Sequence, residues 1–83
     1  MDKATMLSLL DAKTIAALLK IYNLPYRHLA LIFRCTRQNI VYLLKYDRFS
    51  EYQREVVLDV FLEYGLEPSE LVLVHHMTKK GNL

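Results

Sequence analysis

The sequence predicts an all-α fold, a compact bundle of about five short helices forming one domain over residues 1–83. Three observations carry that prediction. Apolar residues recur at three- and four-residue spacing, the period of a helix with one buried face. Asp11, Thr36 and Ser50, whose side chains can accept a backbone N–H, stand immediately ahead of three such stretches. Gly and Pro number only two each, and Pro25, Gly65 and Pro68 fall between the stretches, so that breakers punctuate the helices without interrupting them. Eighty-three residues cannot fill two cores, and a 53% hydrophobic content excludes disorder, a collagen-like repeat and a loop-rich scaffold.

In chain order, residues 1–10 are expected to be a flexible arm or an extra turn or two. A first full helix follows over residues 11–22. There Leu7, Leu10, Ile15, Leu18, Ile21 and Tyr22 share one side and Lys13 and Lys20 the other, with Asp11 as cap and Leu10 to Ile15 as hydrophobic staple. Asn23, Leu24 and Pro25 break the pattern, and Pro25 suits the first turn of a second helix ending near Phe33. Thr36 caps a third helix over residues 36–45, stapled by Cys35 and Ile40. Ser50 with Gln53 has capping-box spacing and opens a fourth helix, 51–64, which Gly65 closes with Leu66 folding back on Phe61. Pro68 opens a last segment, 69–77. Its Leu-Val-Leu-Val run leaves residues 70–76 ambiguous between buried helix and short strand, with helix expected, and 78–83 are expected to be a flexible tail.

The net charge of +2 conceals a segregation. Residues 12–48 carry Lys13, Lys20, Arg27, Arg34, Arg37, Lys45 and Arg48 against Asp47 alone, a local balance of +6. Residues 49–71 carry Arg54 against Glu51, Glu55, Asp59, Glu63, Glu67 and Glu70, a balance of −5. The single Cys35 cannot form an internal disulfide and no leader precedes the first helical pattern, so an intracellular, cytoplasmic protein is expected. The longest apolar runs, 15–19 and 71–74, are too short to span a membrane. His28, His75, His76 and Cys35 lack zinc-site spacing, and no glycine-rich phosphate loop is present. Cys35 reads as a small apolar staple, so no metal, no cofactor and no enzymatic activity are expected.

On the third helix Ile40, Leu43 and Leu44 share an inner arc, leaving Arg37, Gln38, Val41, Tyr42 and Lys45 outside. A forked cation, an amide, an apolar surface and a phenol are the chemistry that reads base edges in a major groove: Arg suits guanine, Gln adenine, and Val41 a thymine methyl. Over residues 24–43 the chain reads Leu-Pro-Tyr-Arg-His-Leu-Ala-Leu-Ile-Phe-Arg-Cys-Thr-Arg-Gln-Asn-Ile-Val-Tyr-Leu, which resembles the helix-turn-helix of the Cro/phage-repressor (XRE-like) family. Ala30 falls where that family has a small residue, Ile40 and Leu43 at its buried positions, and Thr36-Arg37-Gln38 resembles its cap-and-read opening. The resemblance implies a lambda-repressor-like fold and a bacterial or phage-encoded regulator, a repressor, that binds double-stranded DNA as a dimer with half-sites about one helical turn apart. Arg37, Gln38, Val41 and Tyr42 would read bases. Two departures are visible. Arg34 occupies a turn position where the family favours glycine, costing about 1 kcal/mol if that residue is left-handed. Pro25 replaces the usual Ser or Thr cap.

Phosphate contacts are expected from Arg27, Thr36, Lys45, Arg48, Tyr52 and Arg54. On the fourth helix Glu51, Glu55, Asp59 and Glu63 form an acidic row that must face water or a cationic partner, while apolar residues fill most of the remaining arc. That excess predicts a homodimer through Val56, Val60, Leu71, Val72 and Val74. A rival of another class uses the same scaffold as a protein-interaction modulator, an anti-repressor that pairs with a partner regulator. The modest net charge, the apolar Val41 and Tyr42 and the acidic row favour it.

Overall fold

The computed structural model describes residues 1–81, which form six helices: α1 (Lys3–Leu9), α2 (Ala12–Ile21), α3 (Tyr26–Phe33), α4 (Arg37–Tyr46), α5 (Glu51–Glu63) and α6 (Pro68–Lys79). No strand occurs among the described residues. One core cluster draws side chains from all six, including Met6, Leu18, Leu29, Ile40, Phe61 and Leu71. No helix is long and apolar enough to cross a membrane among the described residues.

The expected helix starts are built as the sequence indicates. Asp11 accepts the Thr14 N–H at 2.9 Å and Thr36 that of Asn39 at 3.1 Å. Ser50 and Gln53 form a reciprocal capping box, with bonds of 3.1 and 2.9 Å. Each removes an orphan N–H from the first turn, worth about 1 kcal/mol.

The ends share one device. At α2, α3, α4 and α5 a left-handed residue (Asn23, Arg34, Asp47, Gly65) turns the chain, and the next N–H reaches back to a carbonyl five residues earlier. The bonds are Leu24 to Leu19 at 2.8 Å, Cys35 to Ala30 at 2.9 Å, Arg48 to Leu43 at 3.0 Å and Leu66 to Phe61 at 3.0 Å. Asn, Asp and Gly adopt this conformation readily, whereas Arg34, at φ 54°, meets the steric cost of its Cβ.

Four expectations need correcting. The helix count is six because, of the two expectations for residues 1–10, the extra turn or two holds and the arm does not: Asp2 caps α1 by accepting the Thr5 N–H at 2.8 Å, and Met6 and Leu10 bury themselves as α1 packs on α5 and α6. Residues 78–79 are not tail but the end of α6. Thr78 is buried, donating its hydroxyl to the His75 carbonyl at 2.8 Å and lying beside Thr14. Residues 82–83 of that expected tail lie outside the described residues. Ile21, expected in the core, is half exposed and lines an open groove beside Ala17 and Lys20, while Leu19 is buried. Leu71 and Val74 cannot be dimer contacts, since both are buried in the core by α6 packing against α1 and α2. The segment 70–76, left between helix and strand, is helical.

Two polar clasps hold α6 to α2. Thr14, fully buried, places its hydroxyl 3.1 Å from His75 Nδ1, whose ring also lies 3.8 Å from the Asp11 carboxylate. At the other end of α2 the Tyr22 hydroxyl donates to Glu70. Burial, reinforced by that bond and by the nearby carboxylates, pushes the Tyr22 phenol up to about 12.

Candidate functional site

The site is centred on α4, which is positioned from both ends. At its start, residues 34–36 turn the chain out of α3, and Ala30, buried with little side chain, allows the two helices to pack closely. At its end Asp47, left-handed after the last turn, accepts the Ala12 N–H at 3.1 Å and so ties the finish of α4 to the opening of α2. Ile40 and Leu43 face the core and Leu44 packs against it. The outer surface of α4 is thereby rigidly presented to solvent.

That surface carries the four expected reading residues, all exposed: Arg37, Gln38, Val41 and Tyr42. They are not equivalent. Arg37 and Lys45 line grooves shared with α2 residues, and Val41, exposed, stands four residues from each along the helix. The Arg37 guanidinium stands 5.5 Å from the Tyr26 ring centroid, a cation–π contact that sets it beside α3, on a groove it shares with Lys20. Tyr42 and Tyr46 stand together, their rings 5.1 Å apart and tilted by 51°. Lys45 lies 5.4 Å from the Tyr46 ring, a neighbour the sequence reading did not single out.

The expected phosphate contacts scatter more widely. Arg27 is exposed in the first turn of α3, whose cap Pro25 supplies no side-chain hydrogen bond, and Arg48 is exposed after α4. Thr36 is exposed, its oxygen engaged as the α4 cap. Tyr52 is 71% exposed and lines a groove with Ile32 and Arg34, at the junction of α3 with α5. Arg54 differs: it is half-buried, and its Nε is enclosed without a partner among the described residues. Of the proposed dimer contacts still available, Val56 and Val60 are half-buried and Val72 is exposed.

Charge follows geometry. Among the described residues the basic stretch from Lys13 to Arg48 makes no ion pair, while Lys3 pairs with Asp59 at 3.5 Å between α1 and α5. The acidic row is solvent-facing, with Glu51, Asp59 and Glu63 exposed and Glu55 half-buried. Sequence reasoning missed Lys13, Lys20 and Lys79 as neighbours of α4. Their only local signal was position on the outer face of α2 or in the last turn of α6, and contact with α4 depends on how the helices cross. Comparison with protein-family models, curated proteins and solved structures returns no match.

Proposed function

We propose that this protein is a sequence-specific double-stranded DNA-binding regulator, a repressor, in which α3 and α4 act as a helix-turn-helix and α4 enters the major groove. The observation that carries this reading is the outer face of α4. A guanidinium, an amide, a valine and a phenol are all exposed along one helix held from behind by α2 and α3. Gln38, Val41 and Tyr42 stand free to meet base edges, and Arg37 reaches them by leaving the Tyr26 ring, at a cost of about 0.5–1 kcal/mol. The uncapped first turn of α3, with Arg27 upon it, suits a phosphate at its N–H groups. Arg48, Lys45, Thr36 and Tyr52 complete a rim that positions without specifying. Its three cations, Arg27, Lys45 and Arg48, correspond to a salt slope of about −2.7 per subunit, doubled in a dimer.

A homodimer places two α4 helices on half-sites about 34 Å apart, joined through Val56, Val60 and Val72. Selection from a random duplex pool tests binding and target together. The expected result is enrichment of one pseudo-palindromic sequence, with Gln38→Ala relaxing a single position per half-site by about 1–3 kcal/mol. Failure to enrich any sequence, with binding unaffected by Arg37→Ala, would reject the proposal.

A second reading has its own support. Tyr42 and Tyr46 make an exposed aromatic pair, and Leu31, on α3, is 77% exposed. Both suit a partner regulator better than a phosphate backbone, and a modulator that acts by protein contact would bind no duplex yet remain sensitive to Tyr42→Ala.

A further inference from the structure

Three adjoining grooves run along α2, and two of them reach α4. The first lies along the outer face of α2 and is lined by Lys13, Lys20 and Ile21, closed at one end by Tyr26 and near Thr78 and Gly81 of the C-terminal end. The second shares Lys20 and Tyr26 with it and adds Arg37. The third shares Lys13 and Thr78 and adds Lys45 and Lys79. Lys20, Lys13 and Lys79 therefore continue, outside α4, the cationic edge that Arg37 and Lys45 form upon it. None of these five side chains has a carboxylate partner among the described residues. Two acidic residues, Asp11 and Asp47, do line the third groove. Each already accepts a backbone N–H at the start of α2, from Thr14 and Ala12 respectively, and Asp11 also faces His75. Both carboxylates keep their charge while bonded to helix amides, and against them stand Lys13, Lys45 and Lys79, of which Lys13 and Lys79 are exposed and make no ion pair among the described residues.

We propose that Lys13, Lys20 and Lys79 form a second backbone clamp, gripping the phosphates of the duplex strand that runs past α2 and the end of α6. The inference rests on α4 being the DNA-facing helix and adds to the rim of Arg27, Arg48 and Tyr52 a set of contacts from the opposite flank. Spacing favours it. Lys13 and Lys20 are seven residues apart on one helix, about 10.5 Å along its axis. Each ammonium ends a flexible four-carbon stem, so the pair can reach separate phosphates of one strand. Lys79 shares a groove with Lys13 near the start of α2, adding a third cation to the same flank. The floor between the two α2 lysines is Ala16 and Ala17, small enough to let a backbone lie close.

The test is a fluorescence-anisotropy titration of a fluorescein-labelled 20-base-pair duplex at several salt concentrations, comparing the full chain with Lys13→Gln/Lys20→Gln/Lys79→Gln. Each lost phosphate contact flattens the slope of log K against log salt by about 0.9, so the triple variant is expected to lose about 2.7 in slope. It should also weaken binding by the same factor on every duplex sequence, leaving preference unchanged. Lys3→Gln, at the Asp59 pair on α1, should leave the slope as it is. All three clamp residues are exposed and Gln is a good helix former, so the thermal midpoint should not move, and each single variant should show about a third of the effect. A wild-type chain that binds while the triple variant keeps the full slope overturns the clamp and leaves the α4 reading standing. No duplex binding by the wild type at low salt overturns both.

Discussion

The outward faces of α4 and α5 sit on similar foundations and do opposite things. Each helix buries aliphatic or aromatic residues in the common core, Ile40 and Leu43 from α4, Val57, Leu58 and Phe61 from α5. Outside, α4 offers Arg37, Gln38, Val41, Tyr42 and Lys45, while α5 offers Glu51, Asp59 and Glu63 in a single row with the half-buried Glu55. Burial requirements account for the inner faces alone. The outer ones are set less by burial, and their contrast gives α4 a cationic, aromatic surface and α5 an anionic row.

The first way to break this comparison is to cross the inner and outer faces. Phe61→Ala removes a fully buried ring and should cost about 3–5 kcal/mol in urea unfolding, enough to unfold a domain of this size. Tyr42→Ala, on the exposed face, should change stability by less than about 0.5 kcal/mol while altering binding. Equal losses from the two would mean that the α4 surface is structural.

The helix ends before α4 and after α5 allow a finer contrast with opposite signs. Arg34 and Gly65 occupy the same left-handed position in the same turn device. Arg34→Gly should relieve strain and stabilise by up to about 1 kcal/mol, and Gly65→Ala should destabilise by about 1–2 kcal/mol. Nothing lies within 4 Å of a Cβ placed on Gly65, so that loss is conformational and involves no clash. Thermal melts of the two variants should shift in opposite directions.

Alkaline pH probes the clasp between the end of α2 and α6. The Tyr22 phenol is raised from its ordinary value of 10.0 to about 12 in the fold, so the native state holds this proton more tightly than the unfolded chain. Its contribution is intact below pH 10 and lost as pH climbs toward 12. Tyr22→Phe should therefore be less sensitive than wild type over that window, as followed by circular dichroism. The smallest effect is expected from Glu63→Gln, which removes one exposed charge of the acidic row and should leave stability within about 0.5 kcal/mol.

Much of this architecture was legible locally. Asp11, Thr36 and the Ser50–Gln53 pair announced three helix starts because a cap needs only an oxygen at the right residue, and Gly65 announced an end for the same kind of reason. The segment from 26 to 45 read clearly as two helices around a short turn, and Arg34 does adopt the left-handed conformation on which its predicted cost depended. What was hidden depends on partners distant in sequence. Met6 and Leu10 are ordered by α5 and α6, so residues 1–10 stayed open between an arm and an extra turn or two until those helices were in place. Leu71 and Val74 belonged to a run apolar on every side, and only the packing of α6 on α1 and α2 decides which of its residues face inward. Lys13, Lys20 and Lys79 reach the margin of α4 through tertiary crossing, and the Asp47 to Ala12 bond that fixes this crossing joins residues 35 positions apart.

The most direct measurement is the affinity of the purified chain for duplex DNA at about 50 mM and about 200 mM salt, with Arg37→Ala in parallel. The three rim cations alone predict that wild-type binding weakens by about fortyfold between the two conditions, and more with the clamp lysines or in a dimer, with the variant weaker at both. Absence of binding to every duplex at the lower salt, or affinity indifferent to both salt and Arg37, would contradict α4 as a DNA-reading helix.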